Sequence, residues 1–489
     1  MSARRVGVVA YLLLAVGLVA WAVGTKPNRY GDGHEYFLMT EALARHRDPA
    51  LTPDVSAAVQ FATQQRGIDY VTPPDSGFFL AHNARRYSWH FWAYPLSAVP
   101  ARLWLKFVEG DPLRTLQLTN VGWYLLAVGV AGFASVGPPV RRAGYLLLTC
   151  VGPPVWYLPF TGAEVFTWAL VVSSLVFLDR REYAVAAFAA GLGATQNPLA
   201  ALFVAAVVGL SLRERSVRVT LTAAAAGSVC LAAPAFYWWH FGVPSLIAAD
   251  PHLNSGRVTW ARSIGLLADP NYGLLPFAPG LVLLAAAGLW SSLRRQPLIT
   301  FALLGATVGA GLLTQGMIHW NGAAMGPHRY LLWLSPPLAW VAANGLAVRP
   351  RLGWVALGVA GAVQVGILVV AAPERLDYLR PNALARWVWR KAPWLNDPDP
   401  QVFLVRNTGR EMLAAEFAPP VGFVGRYGVV TKLLLTPESV PLLPVRFQVE
   451  PAYLAEVERA AAGRRGFFYL HPPKDSVRCW PGSDGKPPE

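Results

Sequence analysis

Residues 6–24 read VGVVAYLLLAVGLVAWAVG, an uncharged run directly after Arg4 and Arg5. A secretory leader carries an apolar core of about 7–15 residues, whereas about 17–25 suffice for a helix that crosses a bilayer. The stretch therefore predicts a retained first transmembrane helix, and this decides the class of fold. Comparable runs recur near 113–136, 142–159, 163–179, 218–239, 273–290, 298–316, 328–346 and 353–372. Tyr183 to Leu212 is too long for one helix and is interrupted by Gln196, Asn197 and Pro198, which predicts two short helices turning there. The expected fold is a mainly α polytopic membrane protein of about eleven transmembrane helices. Residues 89–108, WHFWAYPLSAVPARLWLKFV, are apolar but hold Pro95, Pro100, Arg102 and Lys106. Counting them as a span breaks the alternation of basic loops, so an amphipathic helix in the interface is expected, its cations toward headgroups.

Composition agrees. The chain is 54% hydrophobic and 14% charged, against about 25% charged for soluble domains, so lipid must cover much of it. The net charge of +14 is not gathered on one face, which excludes nucleic acid as partner. Arg141 and Arg142, Arg180 and Arg181, Arg213, Arg215 and Arg218, Arg294 and Arg295, and Arg349 and Arg351 instead separate apolar runs, as cytoplasmic loops do. Cys150 and Cys230 lie in apolar runs and Cys479 stands alone, which gives no disulfide framework and no cysteine metal site.

With the N-terminus on the inner side of the cytoplasmic membrane, the long polar segments all fall outside. They are the 25–112 loop, the Pro159 to Glu164 turn, the turn at Asn197, the 240–272 and 317–327 loops, and the tail. The expected domains are a transmembrane region, 1–372, whose first extracytoplasmic loop (25–112) carries interfacial helices, and a soluble extracytoplasmic domain, 373–489. In the tail QVFLVRN, VVTKLLL, VRFQV and GFFYLHP predict strands and PAYLAEVERAAAGRR a helix, hence a small α/β domain with a loose end rich in Pro and Gly.

YGDGHEYFLMTEALARHRDPAL, residues 30–51, packs Asp32, His34 and Glu35 together at the membrane surface. An acid there can serve as general base or bind a hard cation. The Asp32 to Glu35 spacing equally fits a capping box opening a helix near Gly33. In 316–337, GMIHWNGAAMGPHRYLLWLSPP, the outer loop holds His319, Trp320 and Asn321, and His328, Arg329 and Tyr330 stand at the mouth of the next helix. Arg329 can grip a phosphate with paired hydrogen bonds or snorkel to headgroups as an anchor. Glu164 opens a helix, where the dipole favours an acid regardless of function. Arg85, Arg86, Tyr87, His90 and Trp92 can line a chamber or form a solvated basic face, and Arg257 and Arg262 are weaker candidates.

Three of these stretches together resemble the GT-C glycosyltransferases, membrane enzymes that include protein O-mannosyltransferases and a bacterial lipid A aminoarabinose transferase. They are GDGHEYFLMTEAL after the first helix, YSWHFWAYPLSAVPARL at 87–103, and WNGAAMGPHRYLLWLSPP at 320–337. The likeness runs along 1–372 and leaves the tail unmatched. It implies an inverting transferase that moves a sugar from a polyprenyl-phosphate carrier to an acceptor hydroxyl of a glycan, lipid or protein. Carried over by position, Asp32 is the general base and Arg329 holds the carrier phosphate. Glu35 and Glu164 orient the acceptor or a metal, and Tyr330, His328, His90 and Arg86 join the substrate-binding set. The family's acids often stand as Asp-Glu or Asp-x-Asp, whereas here Gly33 follows Asp32 and the second acid is Glu35, which leaves a divalent metal cofactor open. A transporter or flippase, expected to hold polar groups deep in its helices, and a non-catalytic envelope scaffold are the rival classes.

Overall fold

The structure is a computed structural model that describes residues 3–26, 32–64, 76–249, 258–318, 320–322, 324–372, 377–411, 417 and 419–480. His319, Arg257 and the end of the tail beyond 480 lie outside the described residues.

In chain order the elements are α1 (Ala3–Gly24), α2 (Gly33–His46), α3 (Pro53–Gln64), β1 (Phe78–Leu80), β2 (Arg86–Ser88), α4 (Ala93–Phe107), α5 (Thr115–Gly129), α6 (Pro139–Cys150), α7 (Glu164–Asp179), α8 (Tyr183–Gln196), α9 (Ala201–Ser211), α10 (Val217–Gly227) and α11 (Ala232–Phe241). There follow α12 (Leu246–Ala249), α13 (Trp260–Ala268), α14 (Leu274–Phe277), α15 (Pro279–Arg295), α16 (Pro297–Thr314), α17 (Arg329–Leu346) and α18 (Pro350–Ala371). The tail adds α19 (Ala383–Lys391), α20 (Pro400–Thr408), β3 (Val421–Val424), β4 (Val430–Leu435), α21 (Leu443–Arg446), β5 (Phe447–Val449), α22 (Pro451–Ala461), β6 (Phe468–Leu470) and β7 (Val477–Cys479). These divide into two compact units. The first is Met1–Leu253, Phe277–Thr314 and Arg329–Glu374, and the second Asn254–Pro276, Gln315–His328 and Arg375–Glu489.

The first unit is a helical bundle. α7 is apolar all round and almost wholly buried, as a helix enclosed by others must be; α5, α8 and α17 pack on it. Small residues set the closest approach, between α15 and α17: a Cβ on Gly345 would stand 2.4 Å from the Cα of Gly288. Other helices leave apolar sides uncovered, and only 6% of the first span is buried. Burial in lipid is what keeps surface such as Leu12, Leu13, Val16, Val369 and Val370 from water, so this is a multi-pass membrane protein. Trp290 stacked under Arg294 at 4.5 Å closes α15 as aromatic and basic residues close spans at an interface.

Among the described helices five are both long and apolar enough to cross: Arg5–Gly24, Pro112–Ala134, Val217–Phe241, Pro297–Thr314 and Pro350–Ala371. Of the other expected spans, α17 matches α16 in length at 18 residues but is less apolar, and the rest are shorter. The run read as 142–159 folds as α6 and stops at Cys150, because Gly152, Pro153 and Pro154 follow. At about 18 Å it falls well short of a bilayer core. Tyr183 to Leu212 does form two short helices, α8 and α9, which turn at Asn197 and Pro198. α4 exposes Leu96, Leu103, Trp104 and Phe107. Its Arg102, expected to face headgroups, is instead turned inward and paired with buried Glu41 of α2.

In the second unit β3, β4 and β6 form an antiparallel sheet with β4 in the centre, and β5 pairs with β7. Val430, Leu433, Leu435, Phe447, Val457 and Phe468 make one core, and Trp389, Phe403, Phe423 and Leu434 a second. QVFLVRN, expected as a strand, is helix α20. Asp399 caps it through the amide of Gln401, Pro400 takes the first turn and Gly409 closes it left-handed, and these end signals outweigh its β-branched residues. The 320–328 loop belongs to this unit: Gln401 accepts from the amides of Trp320 and Asn321, and Arg406 donates to Asn321 Oδ1 at 3.0 Å and to the Ala324 carbonyl at 3.1 Å.

Candidate functional site

Within the first unit the chain brings four distant segments together. Asp32 stands just before α2, Glu35 in its first turn, His90 just before α4, Glu164 at the start of α7 and Arg329 at the start of α17. His90 lies between two carboxylates, with Nδ1 3.1 Å from Glu35 Oε2 and Nε2 3.5 Å from Asp32 Oδ2. Arg329 Nη1 reaches Asp32 Oδ2 at 3.4 Å and Glu164 Oε1 at 3.8 Å. Its Nη2 donates to the Tyr330 hydroxyl at 3.2 Å. Among the described residues, two atoms of this site are buried without a hydrogen-bond partner, Arg329 Nε and Glu164 Oε2. A buried guanidinium N–H left this way costs about 1–3 kcal/mol or more, a cost that an anionic acceptor placed there would remove.

The local sequence explains the closeness. Gly33 presses the start of α2 onto the turn before α7, where a Cβ would meet Thr161 Oγ1 at 2.0 Å. Gly77 has φ +79°, and its Cβ would meet the Glu35 carboxyl carbon at 2.2 Å. Glu35 is further held by Ser88 Oγ at 2.6 Å and Trp89 Nε1 at 3.0 Å. Gly77→Ala therefore costs about 1–2 kcal/mol in backbone strain alone and pushes Glu35 off His90. A lower melting temperature and reduced activity of the purified protein are expected; wild-type values for both would show that the Gly77 turn does not set the position of Glu35.

Charge follows geometry. Burial pushes the Asp32 carboxyl up, but the facing charges of His90 and Arg329 outweigh it and hold it below the ordinary carboxylate range. Burial pulls the His90 imidazole down, but Asp32 and Glu35 overcome it and raise the ring above its ordinary value. The stability from Asp32 is thus present above the usual carboxylate pKa and lost as pH falls through its lower folded value. That from His90 is present below the usual imidazole pKa and lost as pH rises through its higher one. Burial, with Asp32, Glu164 and Glu35 nearby, raises the Tyr36 phenol far up, so it remains a proton donor.

Of the residues singled out from sequence, Asp32, Glu35, His90, Glu164 and Arg329 meet, with Tyr330 on the far side of the guanidinium. The capping box does not form: Asp32 sits at the N-cap position without a side-chain cap bond, because its carboxylate is engaged by Arg329 and faces His90. The snorkelling alternative for Arg329 fails likewise, since its side chain is only 14% exposed and ion-paired. Arg86 is exposed on β2, opposite Leu80. His34 turns to the Ser76 carbonyl at 3.1 Å. In the second unit His328 is buried with Nε2 2.9 Å from the Trp320 carbonyl, and Arg262 donates to Asp399 at 2.7 Å while lying over Trp320. These brace the loop. Ser88, Trp89, Tyr36 and Gln196 are additions. Gln196 donates to the Tyr36 hydroxyl and accepts from the Tyr94 amide, each at 3.3 Å; Tyr94 in turn donates to Asn120 at 2.9 Å. The signal for Gln196 was an amide inside an apolar run.

His90, Asp32 and Glu35 each offer one atom within 4.8 Å of the others, so they can hold a metal ion. One imidazole with two carboxylates suits zinc or manganese. Three carboxylates face two cations when His90 is protonated, and a divalent ion in place of that proton would neutralise the set, so the residues fit such an ion.

No family model matches the chain, and no curated protein matches it. Among solved structures it is similar to ArnT from Cupriavidus metallidurans in the apo state, at 15% identity and TM-score 0.43 over 77% of this chain and 66% of that one. The same protein bound to undecaprenyl phosphate gives 16% and 0.41 over 75% and 63%. The archaeal oligosaccharyltransferase AglB from Archaeoglobus fulgidus, in complex with an inhibitory peptide and a dolichol-phosphate, gives 12% and 0.43 over 78% and 58%. This chain thus spans between 58% and 66% of those proteins' lengths. None of these likenesses assigns a role to a residue of this chain.

Proposed function

We propose that the protein is a GT-C membrane glycosyltransferase that moves a sugar, with inversion, from a polyprenyl-phosphate carrier to an acceptor hydroxyl. The observation that carries this is the pairing of Asp32 with Arg329, 297 residues apart in sequence and 3.4 Å apart in space. It sets an ionised carboxylate beside a guanidinium with an unused N–H. Asp32 takes the acceptor's proton as its oxygen attacks the anomeric carbon, and the bond from that carbon to the carrier phosphate oxygen breaks on the opposite side. The electron pair leaves with polyprenyl phosphate, where Arg329 offsets the growing charge. A carboxylate held this low is a weak base, which suits a transition state in which the sugar carries most positive charge before the proton moves.

Glu35, through His90, fixes the partner that faces Asp32, and Glu164 balances Arg329 until phosphate displaces it. A divalent metal bound by Asp32, Glu35 and His90 would supply positive charge toward the phosphate. A multi-pass arrangement in the cytoplasmic membrane, with the site and the C-terminal region on the outer face, completes the proposal. Membrane location also explains why the acids sit next to helix mouths: the donor's apolar tail stays in lipid. The test is mass spectrometry of envelope glycans and lipids from a deletion strain. One sugar modification is expected to disappear and to return with wild-type protein but not with Asp32→Asn; an unchanged profile contradicts the proposal.

A further inference from the structure

In the second unit α19 is amphipathic in an unusual way. Its inner face, Ala385, Val388 and Trp389, enters the core with Phe403 and Leu434. A helix on a soluble surface turns polar residues outward. Here Leu384 and Trp387 point outward, at 45% and 57% exposure, and Trp394 and Leu395 directly after the helix are more exposed still. Between Asp377 and Asp397 the chain carries Arg380, Arg386, Arg390 and Lys391 and no acid.

α13 repeats the arrangement independently. Trp260, Ile264 and Leu267 recur on one exposed stripe, while Arg262, Gly265 and Leu266 are buried. Asn382 and Asn396, at either end of α19, bond to the Pro270 carbonyl at 2.6 Å and to Asp269 at 3.0 Å, so the segment after α13 is tied to both ends of α19. Both stripes are tethered to spans. α13 lies in the chain between Phe241 and Pro279, and α19 starts twelve residues after α18 ends at Ala371, a linker that reaches at most about 40 Å when extended.

We propose that α19 with Trp394 and Leu395, aided by the α13 stripe, docks on the anionic surface of the membrane that carries the chain. Trp rings and short aliphatic side chains enter the headgroup zone, and Arg380, Arg386 and Lys391 meet lipid phosphates. The tether, the cation excess and the absence of acids between Asp377 and Asp397 select lipid over a soluble partner. The proposal rests on membrane location and not on the transferase chemistry.

The test uses the full chain, with Cys150, Cys230 and Cys479 replaced by Ala, in nanodiscs of phosphatidylglycerol and phosphatidylcholine. A nitroxide is placed through Trp394→Cys, or through Trp387→Cys if the first variant does not fold, with Arg464→Cys as exposed control. The ratio of collisions with oxygen to collisions with a nickel chelate is expected to be several-fold higher at 394 or 387 than at 464. It should fall toward the control with Arg386→Gln and Lys391→Gln, or in pure phosphatidylcholine. Equal ratios at the test and control positions overturn the proposal. So does a label shielded from both reagents in every lipid, which would place protein over the patch.

Discussion

Asp32→Asn is expected to lower sugar transfer by a factor of about 10²–10⁴, the usual contribution of a positioned general base, with donor binding largely kept. Asn has the shape of Asp but cannot take the acceptor's proton. The loss also reaches His90, because Asp32 is the first of the carboxylates that raise its pKa. In the variant the imidazole should titrate nearer its ordinary value, which NMR of labelled histidine reads separately from turnover. A variant with wild-type turnover sinks the role given to Asp32, and one that merely unfolds is recognised by loss of donor binding.

The second large effect is at Arg329. Its guanidinium spans Asp32, Glu164 and the Tyr330 hydroxyl and keeps Nε in reserve. If Arg329 holds the leaving phosphate as proposed, Arg329→Ala removes those donors and should cost about 10²–10³ in turnover. It also leaves Asp32, Glu35 and Glu164 facing one cation at most, so donor binding should fall with it. Arg329→Lys should recover little, because an ammonium cannot reach both carboxylates and phosphate in one plane. Full rescue by Lys would mean that charge alone matters and would rule out a forked grip. Together the variants separate the roles: Asp32→Asn loses mainly turnover, while Arg329→Ala loses both turnover and binding.

Much of this site was legible because acids and an arginine stand out in an apolar chain. Asp32, Glu35, Glu164 and Arg329 were each visible, though local spacing offered each a structural explanation. Pattern at three or four residues cannot show that the Asp32 carboxylate faces Arg329 and not an amide. His90 was harder, because it stood within a basic, aromatic stretch that reads as a solvated face. Its role depends on Gly77 and Ser88, which fix Glu35 from a hairpin. In the fold, apolar runs were found correctly but their ends were not, since Pro153 and Pro154 stop α6 early. The QVFLVRN helix shows capping by Asp399 overriding side-chain preference. The 317–327 stretch read only as an outer loop, and nothing in its spacing showed that residues 320–324 are bound to α20 through Gln401 and Arg406, partners about eighty residues later in sequence.

The central claim is that Asp32 and Arg329 act on one lipid-phosphate sugar. The most direct measurement incubates purified protein in lipid with envelope acceptor and a polyprenyl-phosphate sugar, and quantifies released polyprenyl phosphate and glycosylated product by mass spectrometry. Wild type should form both in equal amounts, and Asp32→Asn should bind the donor yet form almost neither. Equal turnover by the two proteins, or donor that stays intact with wild type across the polyprenyl sugars tried, would contradict the account.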